Sequence, residues 1–250
     1  MFFPIRDVNP TRSFPFVSYL LLIANVVVFI WVALTAAHHA DPVRAAEMLT
    51  RQYGLVPSRV SHHLSVAWPT IFTSMFMHGG IAHIVSNMVF LHVFSDNVED
   101  ALGHVRFFFF YLLCGVCAAA AQVLVDPSSV IPMVGASGAI AGVVGAYLVL
   151  YPRAPIVTFN SVFFLWFVMG MFPVVPAWLI AGEFFLVNLL QGLGSLGIQM
   201  QGGVAFFAHL GGFAAGLLLV RVWATTKPQG RRWQGFRQNY PGSAARRDRW

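Results

Sequence analysis

The sequence predicts an all-α membrane protein that folds as a bundle of six transmembrane helices. Of its 250 residues, 58% are hydrophobic and only 10% are charged, whereas soluble domains carry about 25% charged residues. Mean hydropathy is +0.71. Several apolar stretches also approach the roughly 20 residues that a helix needs to cross the hydrocarbon core of a bilayer. This composition excludes a water-soluble globular domain.

Six apolar stretches account for the predicted bundle. The first is longer than the core of a signal peptide and has no small-residue cleavage site, so we expect it to be retained. The second carries three histidines and Asn87. Polar groups inside a membrane span are costly unless they face protein or a water-filled cavity, so this stretch favours a functional role. The predicted spans are 16–37, 70–94, 107–125, 135–151, 176–191 and 204–223.

The connecting segments differ in length and character. Residues 38–69 form a large polar first loop, and residues 95–106 form a short charged loop. The stretch 156–175 is apolar but is broken by Pro173, which predicts an interfacial segment. The chain therefore divides into three parts, an N-terminal segment 1–15, a six-helix domain 16–223 and a basic tail 224–250.

The basic residues are unevenly placed. The formal net charge is +6, and eight of the fifteen Lys and Arg residues lie at or beyond Arg221. Such a tail is typical of a cytoplasmic flank beside anionic membrane lipid, so nucleic acid is excluded as the expected partner. An even number of spans places both termini on one side, and the positive-inside rule makes that side cytoplasmic, although three arginines of the first loop oppose it. We expect an integral protein of a bacterial inner membrane.

A serine and a histidine have the spacing of a nucleophile and a base. Ser137 lies at the outer end of the fourth predicted span, and His209 lies several residues into the sixth, which enters from the same side. At 1.5 Å per residue, the two side chains reach similar depths. Glycines four residues apart follow each of them, and such pairs let two helices approach closely. Taken alone, these residues favour simple helix packing over catalysis.

The second span changes that balance. His83 and Asn87 are four residues apart, so they share one helix face. Each alone is best interpreted as a structural residue with a satisfied hydrogen bond. If their face points at Ser137, however, the two side chains and the backbone N–H of Ser137 form a cluster of donors for an oxyanion. The combination with His209 therefore favours a hydrolytic site.

These motifs together resemble those of the rhomboid intramembrane serine proteases. The shared motifs are His78 with His83 and Asn87, Gly-Ala-Ser-Gly at 135–138, and Ala-His-x2-Gly-x3-Gly from 208. The resemblance implies a six-helix rhomboid bundle without a cofactor, which acts on transmembrane protein substrates. It implies Ser137 as nucleophile, His209 as general base, and His83, Asn87 and the Ser137 N–H as oxyanion donors. The neighbouring motif residues predicted to support the site are His78, Gly135, Ala136 and Gly138.

Two departures from the family concern the surroundings of the site. The Trp-Arg pair frequent in the first loop of rhomboids is replaced by Trp68-Pro69. A tyrosine that packs on the catalytic histidine in some members, four residues after the serine, is Ala141 here. The Glu99-x3-Gly103 stretch looks like the short cytoplasmic loop of the family.

No carboxylate is placed to complete a triad, so the sequence predicts a Ser-His dyad and a slow enzyme. The fifth span holds one acidic residue, Glu183, which is either a gate or substrate contact or a neutral core residue. We expect the fifth helix to move when substrate enters. Its candidate gate residues are Trp178, Glu183 and Phe184.

Other functions fit less well. The paired histidines of the first loop lack the spaced partners of a zinc site, so no metal is predicted. Cys114 and Cys117 lie inside an apolar helix and are expected to be packing residues. A transporter would require inverted repeats and midplane charges, and neither is evident. The main alternative is a catalytically inactive rhomboid-like protein that binds membrane helices, but such a protein is expected to lack Ser137 or His209.

Overall fold

The computed structural model describes residues 2–195 and 205–224, which are mostly helical. Residues 225–250 of the predicted tail and residues 196–204, which precede the last helix, lie outside the described residues. The elements in chain order are β1 (Phe2–Asp7), α1 (Phe16–Ala37), α2 (Pro42–Tyr53), α3 (Pro57–His62), α4 (Leu64–Ala67), α5 (Pro69–Thr73), α6 (Ile81–Leu102), α7 (His104–Val125), α8 (Ser137–Leu150), β2 (Pro155–Asn160), α9 (Trp166–Met169), β3 (Val174–Pro176), α10 (Ala177–Ser195) and α11 (Phe206–Trp223).

A helix occupies each of the six predicted spans. In the described part of the chain, four helices are long and apolar enough to cross a membrane, namely α1, α7, α10 and α11. Helix α8 has only 14 residues, but nearly all of them are buried. An apolar helix that is buried all round belongs at the centre of a bundle. Accordingly, α8 packs against α6, α7, α10 and α11.

The predicted boundaries of the second span and the charged loop after it are wrong. Helix α6 begins at Ile81 and runs to Leu102, so a single residue, Gly103, separates it from α7. The acidic residues assigned to a loop lie in the last turns of α6. Among them, Glu99 is fully buried. The span was predicted to end too early because hydropathy depends only on residue type. It does not register that protein groups satisfy these acidic side chains.

Glu99 binds the start of α1. Its carboxylate accepts hydrogen bonds from the backbone N–H groups of Val17 and Ser18, at 2.9 and 2.8 Å. The Ser18 hydroxyl donates a third, at 2.6 Å. A helix begins with unpaired N–H groups and a partial positive charge, so a carboxylate is well placed there. This contact joins α1 to α6 and replaces a side-chain cap at Pro15.

The expectation of an all-α fold needs correction, because a three-stranded antiparallel sheet of order β1-β2-β3 packs beside the helices. In β1, Phe2 lies opposite Asn160 and Asp7 opposite Ile156. The predicted interfacial segment 156–175 is a β-hairpin, with α9 between its strands. Prolines concealed both outer strands from sequence reasoning. An edge strand tolerates proline, and the pairing of β1 is irregular just after Pro4.

The predicted first loop, residues 38–69, contains the short helices α2, α3 and α4 and the start of α5. Three of these helices begin with proline at the first turn, where the missing N–H costs nothing. Leu55 pairs with Met133 through two backbone hydrogen bonds, at 3.0 and 2.7 Å. The loop is therefore fastened to the segment that leads into α8.

Asp7 anchors β1 to the helices. Its Oδ2 atom accepts hydrogen bonds from the Asn97 side chain on α6 and from the Tyr147 hydroxyl on α8, each at 2.8 Å. Burial, together with the nearby Asp96 carboxylate, raises the pKa of Asp7 to about 8. The strand is thus held by a carboxyl group that is mainly protonated at neutral pH.

We expect the attachment of β1 to weaken as pH rises from about 4 to about 8. The pKa of Asp7 is higher in the folded than in the unfolded chain, so folding binds a proton in this range and stability falls with increasing pH. Asp7→Asn should reduce this dependence while keeping an oxygen for Tyr147; part of it remains because burial also raises the pKa of Asp96. The measurement is hydrogen exchange of residues 3–8, corrected for intrinsic exchange rates. Asp126→Asn, at an exposed acid, is the control, and equal pH dependence in wild type and Asp7→Asn would contradict the assignment.

Candidate active site

Helices α8 and α11 bring Ser137 and His209 together. Ser137 is the first residue of α8, and His209 lies in the first turn of α11. The Ser137 hydroxyl lies 2.7 Å from His209 Nε2, within hydrogen-bond distance. Both residues are half-buried. A hydroxyl held against an imidazole nitrogen has the geometry of a nucleophile beside its general base.

Glycines on both helices make this distance possible. A Cβ added at Gly212 would overlap the carbonyl oxygen of Gly138, and one at Gly216 would overlap that of Gly142. The two backbones are therefore in direct contact, as the glycine pairs predicted. Ala136 and Gly138, which flank the serine, are both buried. Any side chain on this seam would separate Ser137 from His209.

His83 and Asn87 lie against the segment that leads into Ser137. Gly135 has φ +125°, and a Cβ there would lie 2.7 Å from His83 Nε2 and 3.5 Å from Asn87 Nδ2. These two nitrogens therefore approach the backbone two residues before Ser137. Asn87 is buried, and its Nδ2 has no hydrogen-bond partner within the described residues. Leaving a buried donor unpaired costs free energy, so such a group needs an explanation, and one explanation is a ligand.

His78 lies in the connection before α6 rather than on the predicted second span. Its ring packs edge-on against His83, with 5.1 Å between the centroids. Burial, and to a smaller extent the neighbouring His83, lowers the pKa of His78 to about 4. A neutral His78 adds no positive charge beside His83 at physiological pH. From this position, His78 contacts the ring of His83 and can orient it.

The three candidate gate residues of α10 have different surroundings. The Phe184 ring lies 5.9 Å from the His209 ring and 6.1 Å from the Phe90 ring of α6, between centroids. The Glu183 carboxylate accepts the backbone N–H of Phe2 at 3.0 Å, so it faces β1. Trp178 is 53% exposed near the start of α10. Of the three, Phe184 is the residue that reaches the site.

Asn188 of α10 is a member of the site that sequence reasoning missed. It is buried, and its Oδ1 atom lies 2.5 Å from His209 Nδ1. A triad was expected to need a carboxylate, so a neutral amide was not predicted as a third residue. An amide inside an otherwise apolar helix is costly unless it is paired, and this was the available signal. Across residues 2–195 and 205–224, no cluster of three His, Cys, Asp or Glu side chains could hold a metal ion.

Sequence comparison gives the family. The model of the rhomboid domain matches residues 65–225. Similar proteins in Arabidopsis thaliana include RHOMBOID-like protein 4, which is 33% identical over 57% of this chain and 31% of the relative. Rhomboid-like protein 11, chloroplastic, is 29% identical over 69% of this chain and 58% of the relative. The chain thus spans less than two thirds of the length of these relatives.

The bacterial and animal relatives include proteins with different activities. Rhomboid protease GluP of Bacillus subtilis is 37% identical over 32% of this chain and 15% of the relative. Inactive rhomboid protein 1 of Drosophila melanogaster is 31% identical over 32% of this chain and 6% of the relative. Family membership alone therefore does not establish catalysis. Because the domain model covers well over half of the sequence, the chain belongs to the rhomboid family of membrane proteins.

Proposed function

We propose that this chain is an intramembrane serine protease that hydrolyses a peptide bond in or next to a transmembrane helix of a membrane-protein substrate. The observation that carries the proposal is the 2.7 Å hydrogen bond between Ser137 and His209 Nε2. A serine that only packed two helices would bond its own backbone, as Ser86 does with the carbonyl of His83. Ser137 is bonded instead to a histidine 72 positions away.

The reaction follows from this pair. Ser137 Oγ attacks the scissile carbonyl carbon while His209 Nε2 accepts the hydroxyl proton. The protonated imidazole then gives that proton to the leaving amine, so the peptide bond breaks and an acyl-serine remains. A water molecule, deprotonated by His209, attacks the ester, and the proton returns to Ser137. No cofactor is needed for either half of the reaction.

The oxyanion is held by donors on two helices. The backbone N–H of Ser137 belongs to the first turn of α8, where N–H groups have no intrahelical acceptor. His83 Nε2 and Asn87 Nδ2 of α6 approach Gly135, two residues before Ser137. A donor that is buried and unpaired in the resting site, such as Asn87 Nδ2, is ready to bond negative charge without giving up another partner.

The substrate must unwind locally. A carbonyl inside an intact helix is already hydrogen-bonded and shielded, so Ser137 can attack only an extended segment. We therefore propose cleavage near helix-breaking Gly or Pro, or small Ala, at the outer end of a substrate helix. Cleavage mapped deep within a rigid poly-Leu helix would count against this assignment.

We also propose that α6 and α8 cross the membrane with the four longer helices, which gives six spans. Helix α6 has sufficient length, and protein groups satisfy its buried Glu99. Six spans place both termini on one side, and the basic tail favours the cytoplasmic face, where it meets anionic lipid. A bacterial inner membrane stays a prediction, since the similar proteins come from plants and an animal as well as bacteria.

A fluorophosphonate probe tests the proposed function without a known substrate. We expect the detergent-purified wild type to be labelled covalently, and both Ser137→Ala and His209→Ala to be unlabelled, because only a serine activated by a base attacks the probe. Labelling is read by in-gel fluorescence, with a known active rhomboid in parallel. If that control is labelled and the wild type is not, the chain is a catalytically inactive member that binds membrane helices.

The Asn87→Ala variant distinguishes a role of Asn87 as an oxyanion donor from a purely structural role. We expect kcat on a model transmembrane substrate to fall about 10²-fold, the usual effect of removing one such donor. Thermal stability should change little, because Asn87 Nδ2 has no partner to lose among the described residues. Asn25→Ala is the matched control, since the Asn25 amide donates to the Leu21 carbonyl on α1. A large loss of stability with unchanged kcat in Asn87→Ala would show a structural role.

Cross-linking tests whether α10 is a gate. Phe90→Cys and Phe184→Cys, in a background with Cys114→Ala and Cys117→Ala, place one thiol on each side of the contact between α6 and α10. We expect a short reversible cross-linker to abolish cleavage of a transmembrane substrate while fluorophosphonate labelling continues, because the probe is small. Reduction should restore cleavage. The same protein before cross-linking is the control, and unimpaired cleavage after complete cross-linking would exclude movement at this contact.

A further inference from the structure

The Asn188 side chain joins α10 to the imidazole of His209. Asn188 lies on an apolar helix and is only 7% exposed. Its carboxamide has two partners, the Phe184 carbonyl, which receives a hydrogen bond from Nδ2 at 2.8 Å, and His209 Nδ1, which lies 2.5 Å from Oδ1. Both polar ends of the amide are therefore used.

The first of these contacts fixes the orientation of the amide. A backbone carbonyl oxygen can only accept, so the NH₂ end of Asn188 must face Phe184. The reversed orientation would bring two oxygens together and would leave two N–H donors facing the imidazole. The oxygen of the amide must consequently face His209.

The amide orientation in turn fixes the histidine tautomer. Oδ1 can only accept, so His209 Nδ1 carries the hydrogen. In a neutral imidazole, Nε2 is then unprotonated and accepts from the Ser137 hydroxyl. The opposite tautomer would present an N–H to Ser137 and would be unable to take its proton. Asn188 thus selects the neutral tautomer that a general base requires.

We propose that Asn188 is a positioning residue that holds His209 in its reactive tautomer, so that α8, α11 and α10 together form a Ser-His-Asn arrangement. This inference rests on the proposed function. Phe184 lies one turn before Asn188 on the same face of α10, and its ring also packs on His209. The imidazole is therefore oriented by α10 as well as by its own helix, and displacement of α10 releases both contacts.

The kinetic test compares Asn188→Ala and Asn188→Asp with Gln191→Ala, which removes an exposed amide from the same helix. We expect Asn188→Ala to lower kcat about 10- to 100-fold with little change in KM, since loss of tautomer and orientation impairs proton transfer and not substrate binding. In Asn188→Asp, a carboxylate favours the protonated imidazole, so the acid limb of the pH–rate profile should move to higher pH. Gln191→Ala should match wild type in rate and profile.

The tautomer itself is measurable in the wild type by ¹⁵N NMR with labelled histidine. The chain has 9 histidines, so the His209 signals are assigned by comparison with His209→Ala. A hydrogen on Nδ1 in the wild type, and a mixture of tautomers in Asn188→Ala, is the expected result.

A hydrogen on Nε2 in the wild type would overturn the inference, and so would an Asn188→Ala protein with wild-type kcat and pH profile. Failure of the proposed function is distinct, because it shows as a wild type that fluorophosphonate does not label. In that case the NMR measurement still decides the role of Asn188, since it requires no turnover.

Discussion

The direct backbone contact between α8 and α11 is the constraint on which the rest of the structure depends. Inside a bilayer, lipid is as apolar as the helices, so close packing and not hydrophobic burial holds helices together. Here each helix contributes glycines that leave no room for a side chain at the seam. The seam sets the distance between Ser137 and His209, and it makes the short, buried α8 the centre around which the longer helices are arranged.

Polar groups away from the site bind the surrounding elements to this centre. Glu99 secures the first turn of α1, and Asp7 connects β1 to both α6 and α8. These buried acids are well supplied with donors. Beside Gly135, which precedes α8, Asn87 Nδ2 is by contrast buried without a partner among the described residues. The partnered acids fit a structural role, and the unpaired amide nitrogen of Asn87 fits a binding role.

The sequence predicted the parts of the molecule that depend on local pattern. Apolar length located a helix in each predicted span, and the serine and histidine motifs identified the residues that meet between α8 and α11. Elements that depend on distant partners were missed. Strand β1 is completed by its pairing with residues 155–160, and the buried Glu99 near the end of α6 is hydrogen-bonded by the backbone of α1. Asn188 was missed for the same reason, since its partner is the imidazole of His209, 21 positions away.

The support of His209 shows how a departure from the family pattern is compensated. Some rhomboids pack a tyrosine of the serine-bearing helix on the catalytic histidine, and here that position is Ala141, a fully buried small residue. The aromatic contact comes from Phe184 instead, and Asn188 one turn later bonds Nδ1. Because both groups belong to α10, the helix proposed to admit substrate also orients the base. In such an arrangement, the reactive geometry is complete only when α10 is packed against α11, so displacement of α10 changes substrate access and the orientation of His209 together.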